Sequence, residues 1–134
     1  METVKTIYLG ELRTSATHIQ SGSELITDAP KDNHGKGEAF SPTDLLATSL
    51  GCCMLSVIGI AAKMHNFNID GTEVKTTKIM AASPRKVGEI IVELFFPPNN
   101  YGEKEKKIID YSVKNCPVAL SLHPDLKQTI TIHY

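Results

Sequence analysis

The sequence predicts an α+β fold with largely antiparallel strands around one long helix, and three observations carry that prediction. Short runs mixing β-branched and polar residues lie near both ends of the chain. Residues 45–62 form an 18-residue stretch without a charge, placed just behind a helix-starting sequence. The resulting order, βββ-α-ββ-αα-β, lacks the regular βαβ alternation of a parallel sheet. With 134 residues and 14.7 kDa, the chain reads as one domain, 1–134, able to bury roughly two-thirds of its unfolded surface.

Residues 3–9, 12–19 and 24–27 are separated by "GE" and "SGS" and read as a meander of strands. "DAPKDNHGKGEA", residues 28–39, has the Gly, Pro, Asn and charge content of a mobile surface loop, a frequent home for binding residues. "SPTDLL" then supplies Ser41 as N-cap, Pro42 for the first helical position and Asp44 in the capping-box place. The helix it starts runs to about Met64, where "HNF" and "DG" end it. Its apolar residues lie almost all round, leaving a narrow seam of Thr48, Ser49, Cys52 and Ser56, so the helix should be central. Residues 68–81 and 88–96 resemble a hairpin, with Ile90, Val92 and Leu94 alternating against Ile91, Glu93 and Phe95. A helix over 103–115, a shorter one restarting at Pro117 and ending near His123, and a closing strand "QTITIHY" complete the order.

Several classes of function are set aside on composition. Fourteen basic against fifteen acidic residues leave a net charge of -1, and no basic run exceeds "KEKK", so nucleic acid has no electrostatic footprint. The uncharged stretch reaches the lower length of a membrane span, but Thr48, Ser49, Gly51, Ser56 and Gly59 interrupt it and no Trp flanks it. A helix buried in protein is the expectation, with no membrane partner. "METVKTIYLGELRT" lacks the basic and apolar regions of a signal peptide, which places the chain in the cytoplasm. Thiols there stay reduced, and three cysteines, of which Cys52 and Cys53 are adjacent, do not make a disulfide framework. His34 and His123 lack metal-ligand spacing with the sulfurs, so neither a metal nor a cofactor is expected.

The cysteines remain as carriers of chemistry. A free thiol is only about 3% ionised at pH 7, so a reactive one needs help toward the thiolate. Cys53 lies some three turns into its helix, beyond the reach of the helix dipole, and must be activated by another segment. Cys116 precedes Pro117 at the start of a helix, an N-cap position whose backbone N–H groups favour a thiolate; by that rule it is the more acidic sulfur. It also continues the inward stripe Ile109, Val113, Cys116. Two sulfurs converging on one helix suit a redox cycle in which one thiol is oxidised and the other resolves it. The plainer reading makes all three small buried hydrophobes.

"SPTDLLATSLGCCM", followed about 60 residues later by "NCPVALSL", resembles the paired signature of the OsmC/Ohr superfamily, the osmotically inducible protein C and organic hydroperoxide resistance proteins. The resemblance extends over nearly the whole chain, including "TDAPKDNHGKGEAFSPTDLL". It implies an OsmC-like fold whose sheets wrap around paired central helices of an intertwined homodimer. It also implies a thiol-dependent peroxidase of oxidative-stress defence that reduces organic or inorganic hydroperoxides and is reset by a dithiol, lipoyl-type or small. By the same resemblance Cys53 is peroxidatic, Cys116 is resolving, and Cys52 stands where relatives carry a small residue. Characterised members place an Arg and a Glu beside the reactive sulfur; here Asp44 stands near the acidic position, and Lys36 or Arg13 is expected to supply the cation. A lysine gives charge without the bidentate fork of arginine. Two rival readings stand beside the peroxidase: a binding protein for a hydrophobic small molecule lined by the cysteines, and a thiol redox sensor without peroxide turnover.

Overall fold

The computed structural model describes all residues of the chain, Met1–Tyr134, and resolves into two compact units, Met1–Leu46 and Ala47–Tyr134. The first is an antiparallel meander of β1 (Val4–Gly10), β2 (Arg13–His18) and β3 (Glu24–Asp28), in the order β1-β2-β3. Between β1 and β2 the tight turn puts Gly10, Glu11 and Leu12 at positive φ. It is held by the Leu12 N–H, which donates to the Tyr8 hydroxyl at 3.2 Å, and by the Leu12 carbonyl, which accepts from Ala29 N–H at 3.0 Å. The register sets Ile7 across from Ser15 and Ser15 across from Ile26. Ile7, Leu9 and Ile26 stay exposed, so this unit leaves apolar strand surface uncovered.

After β3 the loop is tied to itself. Asn33 and Gly35 N–H both donate to the Pro30 carbonyl at 2.9 Å, and Gly37 N–H donates to that of Ala29 at 3.2 Å. The expected capping box then forms: the Ser41 hydroxyl accepts from Asp44 N–H and the Asp44 carboxylate accepts from Ser41 N–H, each at 3.0 Å. This reciprocal pair satisfies donors that a bare helix start would leave open.

Helix α1 (Pro42–Met64) carries the chain into the second unit. It ends where Asn66 takes the left-handed conformation at φ 60° and Phe67 N–H reaches back to the Ala62 carbonyl at 3.0 Å, a terminator the "HNF" segment supplies. The second sheet contains β4 (Glu73–Ala81), β5 (Lys86–Phe95) and β6 (Lys127–His133), in the order β4-β5-β6. The hairpin β4–β5 is antiparallel as expected, but its first strand begins at Glu73 and not at residue 68. Asn68 accepts from Asp70 N–H through its side chain at 2.6 Å, and Thr72 N–H donates to the Ile69 carbonyl, so residues 68–72 make turns before any ladder starts.

The closing strand forms as expected, and the structure adds its direction. β6 pairs with β5 in parallel, Ile90 opposite Gln128 and Val92 opposite Ile130. The crossover passes through α2 (Glu103–Lys114) and the short α3 (Pro117–Ser121), long enough for the return a parallel pair requires. The other ladders are antiparallel. One face of β5 presents Ile90, Val92 and Leu94 to Leu50, Met54 and Ile58 of α1 and Ile109 of α2, all fully buried. Each such side chain contributes about 1.5–3 kcal/mol relative to exposure.

Candidate functional site

Cys116 occupies a place made by two elements. It ends the buried face of α2 behind Ile109 and Val113, and it is the N-cap of α3, with its sulfur accepting the Ala119 N–H at 3.4 Å. Pro117 at the first helical position excludes a continuous helix and forces the sulfur into that cap. The side chain has no solvent exposure. Cys53, half-buried on α1, packs against the same core cluster and is near enough to act on the Cys116 thiol. Two of the five residues singled out in the sequence therefore share one core, Cys116 inside it and Cys53 packed against it. All three cysteines are free thiols.

The acidity expected of Cys116 is overturned. Burial pushes its thiol above the ordinary value; the Ala119 and Val118 N–H groups pull the other way, while the neighbouring Cys53 thiol adds to the rise. An N-cap favours a thiolate only when the charge is not also being taken out of water, and here the helix behind the cap is five residues long.

Cys52, by contrast, is exposed. One residue along a helix turns the side chain by about 100°, so the adjacent sulfurs face different surroundings. Ser56 in the expected polar seam donates its hydroxyl to the Cys52 carbonyl at 2.9 Å, which satisfies it without engaging a thiol.

The remaining predicted residues lie in the first unit, each with a partner there. Arg13 forks onto Asp28 at 2.7 and 2.8 Å and reaches Glu38 at 3.3 Å. Asp28 is fully buried and also accepts the Glu38 N–H at 3.1 Å. The paired guanidinium holds its carboxyl below the usual range against the opposing effect of burial. Lys36 pairs with Glu11 at 2.8 Å, and Asp44 serves the helix cap. Sequence reasoning missed Asp28: an acidic residue heading a loop rich in Pro and Gly gives no signal that it will be buried against an arginine from the neighbouring strand. Gln128, whose amide donates to the Ala119 carbonyl at 3.0 Å, was equally invisible, because the parallel β6 register that brings it there was not foreseen.

Along α1, Cys53, Val57, Ile60 and Met64 follow at helical spacing, and the last three line an open groove of about 560 Å³ against Ile108 and Tyr111 of α2. Ile60, Met64 and Tyr111 are among the most exposed large hydrophobic side chains in the unit.

The OsmC-like protein family matches residues 35–131 of the chain. A crystal structure from Psychrobacter arcticus 273-4, whose protein is assigned by name to osmotic stress induction and a detoxification response, is 53% identical over 99% of this chain and 96% of its own, with a TM-score of 0.95. The organic hydroperoxide resistance protein OsmC of Legionella pneumophila is 16% identical, with coverage of 100% and 98% and a TM-score of 0.73. For the organic hydroperoxide resistance protein OhrB of Bacillus subtilis the identity is 16%, the coverage 98% of each chain and the TM-score 0.67. At that identity these last two show a shared fold. No curated protein matches the sequence. The family match across the helix and both cysteine segments, with the likeness to the Psychrobacter protein along nearly the whole length, makes this chain a member of the OsmC-like protein family within the OsmC/Ohr superfamily.

Proposed function

We propose that the chain is a thiol-dependent hydroperoxide reductase working in stress defence through a Cys53–Cys116 cycle. The observation that carries the reading is that a half-buried thiol on α1 packs against the same core as a fully buried one at the α3 cap. Cys53, the accessible member, attacks the O–O bond as a thiolate; the alcohol leaves and Cys53 becomes a sulfenic acid. Cys116 then attacks the sulfenic sulfur, water leaves, and a disulfide forms. A dithiol, lipoyl-type or small, reduces that bond and is itself oxidised to a disulfide. The name of the Psychrobacter relative supports a place in detoxification.

The same reading includes a cytoplasmic homodimer. Its support is the apolar surface each unit leaves open: Ile7, Leu9 and Ile26 on the first sheet, and Ile60, Met64 and Tyr111 on the helices. Surface of that kind, rimmed by polar residues, is the mark of a protein interface.

A second reading, a redox sensor that forms the disulfide but turns over slowly, is favoured by one observation. Arg13 and Lys36 are both committed to carboxylates. The peroxidase reading requires one of them to exchange that partner for the Cys53 thiolate, and the sensor reading does not. Consumption of cumene hydroperoxide and hydrogen peroxide with dihydrolipoamide separates the two, run beside Cys53→Ser, Cys116→Ser and Arg13→Gln. Turnover lost in Cys53→Ser, and stalled after one oxidation in Cys116→Ser, supports the peroxidase. Stoichiometric oxidation with poor turnover supports the sensor, and no oxidation of Cys53 overturns both.

A further inference from the structure

We propose that Gln128 is a positioning residue for the Cys116 thiol: it clamps the peptide whose N–H holds that sulfur and so sets the readiness of Cys53 and Cys116 to join. The term Cys116 as resolving thiol rests on the function proposed above; the positioning itself does not depend on peroxide.

α3 has five residues, Pro117–Ser121, well under the length at which a helix holds itself together. Its own bonds are local: Leu120 N–H to the Cys116 carbonyl at 3.1 Å and the Ser121 hydroxyl to that of Pro117 at 2.7 Å. Ala119 is engaged at both ends. Its N–H donates to the Cys116 sulfur at 3.4 Å, and its carbonyl accepts from the Gln128 amide at 3.0 Å. Gln128 stands on β6 opposite the fully buried Ile90 of β5, so the amide springs from a rigid part of the sheet. The chain of contacts therefore runs from the sheet through one peptide to the sulfur, against whose core cluster Cys53 packs.

A disulfide demands a narrow range of Cα separation and one of two dihedral families. If α3 is held in the reduced protein, little ordering is left to do when the bond forms. If it is loose, the oxidised state must order it, and the equilibrium shifts toward the thiols. Loss of the Ala119 N–H contact also removes one of the groups that favour the Cys116 thiolate, the form that attacks.

The test uses full-length protein carrying Cys52→Ser, which leaves one cysteine pair, equilibrated in glutathione buffers and quenched by alkylation. Gln128→Met keeps an unbranched chain of similar length and removes the donor. Gln128→Glu keeps the shape and replaces the donor with an acceptor. Both are expected to lower the Cys53–Cys116 disulfide equilibrium constant about three- to tenfold, the effect of one neutral hydrogen bond. Thr129→Val is the control: its hydroxyl bonds Glu89 at 2.5 Å in the same strand ladder and does not touch α3, so its constant should stay within about twofold of the parent. An unchanged constant in Gln128→Met, or an equal fall in Thr129→Val, overturns the proposal. A parent that exchanges with glutathione, shows this Gln128 dependence and consumes no peroxide removes the peroxidase reading and leaves the positioning role standing. A parent that forms no Cys53–Cys116 disulfide overturns both.

Discussion

Gly51 is where α1 is seated on the sheet, and an alanine there should behave against helix propensity. A Cβ at this position would lie 2.8 Å from Val74 Cγ1 and 3.3 Å from Thr76 Oγ1. Carbon atoms settle at about 3.5–4.0 Å, so Val74 must change rotamer on a paired strand or the helix must lift by most of an ångström. Overpacking of this kind costs about 1–3 kcal/mol. Against it stands the gain from replacing a mid-helix glycine by alanine, about 0.8–1.0 kcal/mol. The difference leaves Gly51→Ala destabilised by about 1 kcal/mol, within a range that starts near zero. The same helix contains its own control. A Cβ at Gly59 meets only Ile69 Cδ1, at 4.0 Å, so Gly59→Ala should gain the propensity and stabilise by about 1 kcal/mol.

Urea unfolding of both variants reads the contrast, an expected gap of about 2 kcal/mol between them. Val74→Ala added to Gly51→Ala should recover about 1 kcal/mol in a double-mutant cycle, the signature of residues in contact. Equal stabilisation by the two glycine replacements would refute the reasoning, since it would mean that α1 does not rest on Val74. Cys53 follows two positions after Gly51, so the lifted helix should also slow disulfide formation with Cys116.

Three further outcomes are expected. Asp44→Ala should cost about 1 kcal/mol through loss of the capping box, with thermal unfolding as the readout; equal peroxide turnover per folded molecule assigns Asp44 to the cap, and a separate fall in turnover assigns it to the chemistry. Because Arg13 lowers the Asp28 pKa from its ordinary 3.8, the stabilisation from that pair is present above about pH 4 and is lost as the pH falls through the depressed value; Arg13→Gln should remove that acid dependence when circular dichroism is followed from pH 6 to 2. Iodoacetamide should label exposed Cys52 first and buried Cys116 last. The raised pKa of Cys116 means that its contribution to stability is whole below the ordinary thiol range and fades as the pH climbs beyond it.

Much of the fold was legible because its signals are local. The capping box at Ser41 and Asp44 in the first unit, and the alternation in β5 and the Pro117 break in the second, each follow from neighbouring residues. The side-chain pairs that were missed are set by distance in the chain. Asp28 meets Arg13 across 15 positions and Gln128 reaches Ala119 across nine, contacts that depend on strand register. The acidity of Cys116 was misread for a related reason. A cap can be recognised from Cys-Pro, but the burial that outweighs it comes from side chains that the fold assembles from α1, β5 and α2. Local rules therefore located the sulfur and reversed its chemistry.

The doublet in "GCCM" is explained by the same division between local position and assembled surroundings. Helical rotation aims one sulfur at Cys116 and leaves the other exposed, so only Cys53 has a neighbour to condense with after oxidation. A sulfenic acid on Cys53 is captured as a disulfide. One on Cys52 meets no second thiol of this core and continues up the oxidation ladder unless a small thiol caps it. Excess hydrogen peroxide without reductant should therefore leave Cys53 and Cys116 joined and Cys52 as sulfinic or sulfonic acid, separable by peptide mass analysis. Added glutathione should divert Cys52 to a mixed disulfide while the Cys53–Cys116 bond still forms. A Cys52–Cys116 disulfide in wild type, at a level matching Cys53–Cys116, would show that the helix turns or frays enough to exchange the two sulfurs, and the assignment of one working thiol and one bystander would fall.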